Sequence, residues 1–275
     1  MMLTCRAMSE NPTNPKRAKG AFLLPNAFTT AALLAGFYAM VSAINGQTIA
    51  ACVAILVAGL LDGVDGRVAR MTNTQSDFGV QYDSLSDMVS FGIAPAILVF
   101  TWVSTGLGSP EGNTANLVWL AAFFYTACAA LRLARFNTQA GGVSDKAYFQ
   151  GMASPAAAGT VMSTIWFSID RGLSPEQMAW PVLAVTVLVG ALMVSNVRYF
   201  SFKQWPASQR VPIARIFFLV AVVALMAIDL PAVLFAIGVI YTTSGLVMTM
   251  KGRQAVRKRR STDRRHEGGG DGGDA

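Results

Sequence analysis

The chain has 275 residues, of which 53% are apolar and only 13% charged, with a formal net charge of +7 and a mean hydropathy of +0.45. A soluble domain carries about a quarter charged residues, so these values exclude a disordered chain and argue against a soluble enzyme. The single histidine, His266, lies in a polar tail and the three cysteines are scattered, which removes histidine-based metal sites, Ser-His or Cys-His triads and a disulfide framework.

Residues 1–21 form a polar, basic N-terminal tail. It lacks the apolar core and cleavage site of a secretory signal, so the first span is expected to stay as an anchor. Eight apolar runs follow, centred in Phe28–Ile44, Thr48–Leu61, Met88–Leu107, Leu117–Leu131, Pro155–Ile169, Ala179–Asn196, Ile213–Ile228 and Pro231–Met250. Several fall short of the roughly 20 residues that a membrane helix needs, so their polar ends are expected to extend the helices or line a protein-enclosed cavity. They predict an all-α, polytopic bundle of about eight transmembrane helices, forming one membrane domain over residues 22–250.

The charges predict the orientation. Asn45–Gln47, Ser104–Asn116, Asp170–Gln177 and Asp229–Pro231 link the spans on one side, and of the 22 basic residues only Arg171 falls there. By the positive-inside rule both termini are expected in the cytoplasm and the protein in the cell (inner) membrane. Residues 251–275 change abruptly to a basic run, Arg257–Arg260 with Arg264 and Arg265, and then to Gly and Asp. This reads as a disordered tail lying against anionic lipid. Without aromatic interleaving or a folded module, it does not read as a nucleic-acid site.

The segment Leu61-Asp62-Gly63-Val64-Asp65-Gly66-Arg67-Val68-Ala69-Arg70, followed by Gly79 and Asp83-Ser84-Leu85-Ser86-Asp87, carries the chemistry. An aspartate at mid-bilayer costs roughly 2.5–3.5 kcal/mol on insertion scales, less near the interface, so four of them need a partner. On a helix Asp62 and Asp65 lie about 60° and about 4.5 Å apart, and Asp83 and Asp87 about 40° and about 6 Å apart. Each pair therefore shares a face, and a hairpin of the two helices brings the faces together. An oxygen-only cluster suits a hard divalent cation such as Mg²⁺, Mn²⁺ or Ca²⁺. A charge of about −4 calls for two such ions, which then accept an anionic phosphate substrate. The plainer alternative is small-residue helix packing with Asp–Arg pairs to Arg67 and Arg70, but two arginines cannot balance four aspartates.

Written as a pattern, residues 62–87 read D-G-x-D-G-x2-A-R-x8-G-x3-D-x3-D, which resembles the signature of the CDP-alcohol phosphatidyltransferase family at every fixed position. Such enzymes transfer a phosphatidyl or related group from a CDP-linked lipid to an alcohol, release CMP and use divalent metal. The resemblance implies that Asp62, Asp65 and Asp83 ligate metal, Mg²⁺ or Mn²⁺, and that Asp87 touches a second ion and acts as general base. It places Gly63, Gly66, Arg70 and Gly79 around the CDP moiety, and it implies a homodimer.

Flanking residues narrow the acceptor. Asp83–Pro95, Leu24-Pro25-Asn26 with Thr29, Leu131–Asn137 and Ser154–Ala157 resemble the multispanning bacterial and archaeal members that act on serine. The implied substrates are CDP-diacylglycerol and L-serine, at an active site facing the cytoplasm. Asn26 and Thr29 then border the nucleotide, although Asn26 after Pro25 also fits a helix start. Arg132 and Arg135 are candidates to grip a serine carboxylate or lipid phosphate, or else set topology. Asn137 adds a polar contact or sits in the C-terminal turn of a helix. Two positions depart from the pattern: Ala32 stands where many relatives carry Asn, and Ala153 replaces a common Pro. Rival readings are the same donor chemistry with glycerol 3-phosphate, inositol or choline, and a divalent-cation transporter.

Overall fold

A computed structural model of the chain describes residues 23–72, 76–108, 112–139, 148–195, 197–200, 213–245 and 247. Both expected tails lie outside these residues. Helix α1 spans Leu23–Ile44 and α2 spans Thr48–Thr72. Helix α3 (Asp77–Asp87) runs without a break through a π-helical turn, Met88–Ile93, into α4 (Ala94–Gly106). Then come α5 (Gly112–Gln139), α6 (Ser154–Asp170), α7 (Pro175–Val194) and α8 (Ile213–Ile228), and α9 (Leu230–Gly245). A three-residue antiparallel ribbon, β1 (Tyr148–Gln150) with β2 (Arg198–Phe200), sets Phe149 opposite Tyr199.

Over the described residues, each of the eight expected apolar runs falls on a helix. Five helical stretches are long and apolar enough to cross a bilayer: Asn26–Ile44, Thr48–Val68, Phe78–Gly106, Gly112–Thr138 and Pro175–Val194. The first helices outrun their apolar cores, because polar segments such as Asp62–Val68 and Arg132–Thr138 continue them. The links are correspondingly tighter than the sequence implies. Helix α7 starts at Pro175 because Ser174 and Gln177 form a reciprocal capping box that satisfies two otherwise orphaned amides.

Packing is small inside and large outside. Ala39, Ala51, Ala58, Ala129 and Ala158 are fully buried, while Leu34, Phe37, Leu60, Phe123 and Leu131 face outward. Lipid imposes no penalty on exposed apolar bulk, so close approach of backbones decides which faces meet. Gly36 shows the principle: a Cβ there would lie 2.4 Å from Ser90 Oγ. Some buried hydroxyls are satisfied within their own helices, as where Thr164, Ser168 and Thr186 each donate to the carbonyl four residues back.

The π-helical turn sits in the middle of this packing. It follows Asp87 directly, and its Ser90, Phe91 and Gly92 are buried. A π turn disturbs the regular i→i−4 ladder, and here α5 supplies extra donors. The fully buried Tyr125 donates its hydroxyl to the Phe91 carbonyl at 2.9 Å, and the Thr126 hydroxyl reaches the Gly92 carbonyl at 3.5 Å.

Candidate active site

The last turns of α2 carry Asp62 and Asp65, and α3 carries Asp83 and Asp87. The structure brings Asp62, Asp83 and Asp87 together: one carboxylate oxygen from each lies within 4.8 Å of the others, and all three are half-buried. Asp62 and Asp87 are within hydrogen-bonding reach of each other. Asp65 stands beside this triad, close enough for its charge to act on Asp62 and Asp83. It is only 5% exposed and accepts a 2.9 Å hydrogen bond from the Thr29 hydroxyl. The acidic cluster is thus three converging carboxylates and a fourth anchored from α1.

Helix α1 is clamped to the other two by short polar contacts. Ser86 and Ser90, four residues apart and so on one face, donate to the carbonyls of Thr29 and Ala32 at 3.2 and 3.1 Å. Thr30 and Tyr82 share a 2.9 Å hydroxyl contact. These serines lie inside the segment that carries the sequence resemblance, yet nothing in their spacing says that their partners are α1 carbonyls.

The expected nucleotide-side residues fall around the same end. Asn26 is not the first residue of its helix, since α1 begins at Leu23. Its Oδ1 is 3.7 Å from where a Cβ on Gly79 would stand, so the two residues are neighbours across α1 and α3. Gly79 itself is tied to the α3 N-cap, its amide donating to Ser76 Oγ at 3.0 Å. Gly63 and Gly66 are exposed, and a Cβ on either would meet nothing within 4 Å. Helix packing therefore does not account for these two glycines; they leave open space beside Asp62 and Asp65. The side chain of Arg70 lies outside the described residues.

Arg132 approaches from α5. Its guanidinium donates to Ser154 Oγ at the start of α6 and lies within electrostatic reach of Asp87 and Asp62. Arg135, one turn further on, is half-buried. Asn137 lies in the last turn of α5, which ends at Gln139, and its side chain exchanges hydrogen bonds with Ser84 at 3.1 and 3.2 Å. Arg67 is exposed. Among the described residues the ion pairs join Arg171 to Asp170 and Asp229, so Asp–Arg67 pairing does not explain the cluster.

Three carboxylates this close repel strongly in a partly buried setting, and the single positive charge of Arg132 is too little to balance them. An all-oxygen donor set of this size fits a hard divalent cation. The profile of the family described as CDP-alcohol phosphatidyltransferase matches residues 22–170, a stretch that holds all four aspartates. The chain belongs to this family. CDP-alcohol phosphatidyltransferases similar to it include the CDP-diacylglycerol–serine O-phosphatidyltransferase of Helicobacter pylori, 35% identical over 70% of this chain and 76% of that protein. The enzyme of the same name from Mycobacterium leprae is 33% identical over 69% of this chain and 62% of its own length. The archaetidylserine synthase of Methanothermobacter thermautotrophicus is 34% identical, over 68% and 73%. As a CDP-alcohol phosphatidyltransferase, the chain presents the family's acidic signature as a physical cluster at the helix ends.

Proposed function

We propose that this membrane protein transfers a phosphatidyl group from CDP-diacylglycerol to L-serine, giving phosphatidylserine and CMP. The observation that carries the reading is the convergence of Asp62, Asp83 and Asp87 beside Arg132, in a chain whose curated relatives bear that activity in their names.

In this reading Asp62, Asp65, Asp83 and Asp87 hold two divalent cations, Mg²⁺ or Mn²⁺, whose combined charge balances the four carboxylates. Bound there, the cations supply positive charge against the diphosphate of the lipid nucleotide. Asn26, Thr29, Gly63, Gly66, Arg70 and Gly79 border the CDP moiety, with the open space at Gly63 and Gly66 admitting it against the helix backbone. Asp87 accepts the proton of the serine hydroxyl as its oxygen bonds to the lipid-side phosphorus. The bond from that phosphorus to the bridging oxygen breaks in line, and its electron pair leaves with CMP. Arg132, Arg135 and Asn137 stand on the acceptor side. Holding acceptor and donor at near-contact distance supplies much of the acceleration. The same reading places the site at the cytoplasmic face of the inner membrane and, on the family resemblance, makes the protein a homodimer.

The test is an acceptor panel. Membranes containing the full chain are incubated with CDP-diacylglycerol, Mn²⁺ or Mg²⁺, and labelled serine, glycerol 3-phosphate, inositol or choline in turn. Serine-dependent release of CMP with labelled phosphatidylserine is expected. Preference for another alcohol would overturn the acceptor, and absence of CMP release with all four would overturn the donor chemistry.

A further inference from the structure

Residues 150–154 lead into α6 latched to the C-terminal end of α7. The Gly151 amide donates to the Val197 carbonyl at 2.9 Å, and the Met152 amide donates to the Leu192 carbonyl at 3.1 Å. Leu192 lies in the last turn of α7, where carbonyls have no partner within the helix. The ribbon extends the latch by setting Gln150 opposite Arg198. Gly151 makes the corner: its φ is +85°, and a Cβ there would collide with the Met193 carbonyl oxygen. No residue with a side chain takes that corner without strain. Past it, Met152 is fully buried and Ser154 begins α6, followed by Pro155. Ser154 is fully buried as well. Its Oγ accepts a hydrogen bond from the guanidinium of half-buried Arg132, the group within electrostatic reach of Asp87 and Asp62. Among the described residues Arg132 forms no ion pair, so a serine rather than a carboxylate holds it.

We propose that Ser154 is a positioning residue for the acceptor: it aims the Arg132 guanidinium, and the Gly151 corner in turn fixes Ser154. A guanidinium carries its N–H donors in a rigid planar fork, so anchoring one of them restricts the directions of the others. The anchor is buried, and water does not compete for it. A long side chain already held in this way loses less freedom when a ligand arrives, which strengthens binding without any new contact to the ligand. A fork so aimed suits an acceptor that carries a carboxylate. Ser154 acts only through Arg132 and touches neither substrate. The inference rests on the serine reading above and adds the start of α6, with its latch to α7, to the acceptor side of the site.

The test uses the full chain in membranes or nanodiscs and measures KM for serine and for CDP-diacylglycerol separately. Ser154→Ala is expected to raise the serine KM about tenfold, the loss of one hydrogen bond to a charged group. Turnover and the KM for CDP-diacylglycerol should change less than about twofold. Ser154→Thr, which keeps the hydroxyl, should recover most of the lost serine affinity. Ser154→Cys has nearly the same size but a weak acceptor; it should follow the alanine variant, and it decides if Ser154→Ala does not accumulate. A purely structural role would lower thermal stability and turnover and leave the serine KM alone. An unchanged serine KM in the alanine or cysteine variant, an equal rise in both KM values, or a threonine variant as impaired as the alanine one overturns the proposal. Arg132→Lys keeps the charge without the fork. A raised serine KM there beside an unchanged one in Ser154→Ala rejects the positioning role alone, whereas an unchanged serine KM in Arg132→Lys takes Arg132 itself off the acceptor side. A parent protein without serine-dependent turnover would overturn the acceptor reading instead.

Discussion

The hydroxyl of Thr29 donates a 2.9 Å hydrogen bond to the carboxylate of Asp65, 36 residues further along the chain. One α1 side chain thereby aims an acid on α2, and the serines of α3 and the π turn grip the α1 carbonyls of Thr29 itself and of Ala32. The acidic site is therefore a three-helix object rather than a hairpin.

Thr29→Val keeps the shape and removes that bond. The expected result is a loss of about 1–3 kcal/mol of stability, with the Mn²⁺ or Mg²⁺ concentration for half-maximal activity raised several-fold. Thermal unfolding and a metal titration of CMP release check it. Chelation of the metal should abolish CMP release in the parent protein, and re-addition should restore it.

Asp87→Asn removes the proposed base and leaves a side chain of the same size. Activity should fall by at least about a hundredfold, the range of general-base contributions. The unfolding midpoint should stay near that of the parent. Substantial residual turnover would take Asp87 out of the base role.

Two kinds of glycine separate packing from ligand space. Gly36→Ala drives a methyl group to 2.4 Å from Ser90 Oγ and 2.8 Å from Ser90 Cα, and overpacking of this sort costs about 1–3 kcal/mol. Gly63→Ala and Gly66→Ala meet nothing within 4 Å, so their unfolding midpoints should not fall. Their KM for CDP-diacylglycerol should nevertheless rise about tenfold or more. Equal kinetic behaviour of all three variants would refute the distinction.

Tyr125→Phe leaves the Phe91 carbonyl of the π turn without its 2.9 Å donor. Burying an unsatisfied carbonyl costs about 1–3 kcal/mol, and relaxation of the turn should displace Asp87, which directly precedes it. A lower unfolding midpoint together with a several-fold drop in turnover is expected. A destabilised variant with undiminished turnover would show that the π turn does not hold Asp87 in place.

The sequence by itself determined the membrane class, the helical runs and the pairing of Asp62 with Asp65 and Asp83 with Asp87 on shared faces. These follow from hydropathy and from helical period, which are properties of neighbouring residues. Only the tertiary structure decided that Asp65 turns to Thr29 while Asp62, Asp83 and Asp87 converge. The same holds for the contacts of Asn137 with Ser84 and of Arg132 with Ser154. A π turn after Asp87, sustained by hydroxyls from α5, has no signature in its own residues. Such features depend on which helix faces approach one another, and in lipid that choice is made by close packing of small residues rather than by the hydrophobicity that a linear chain displays.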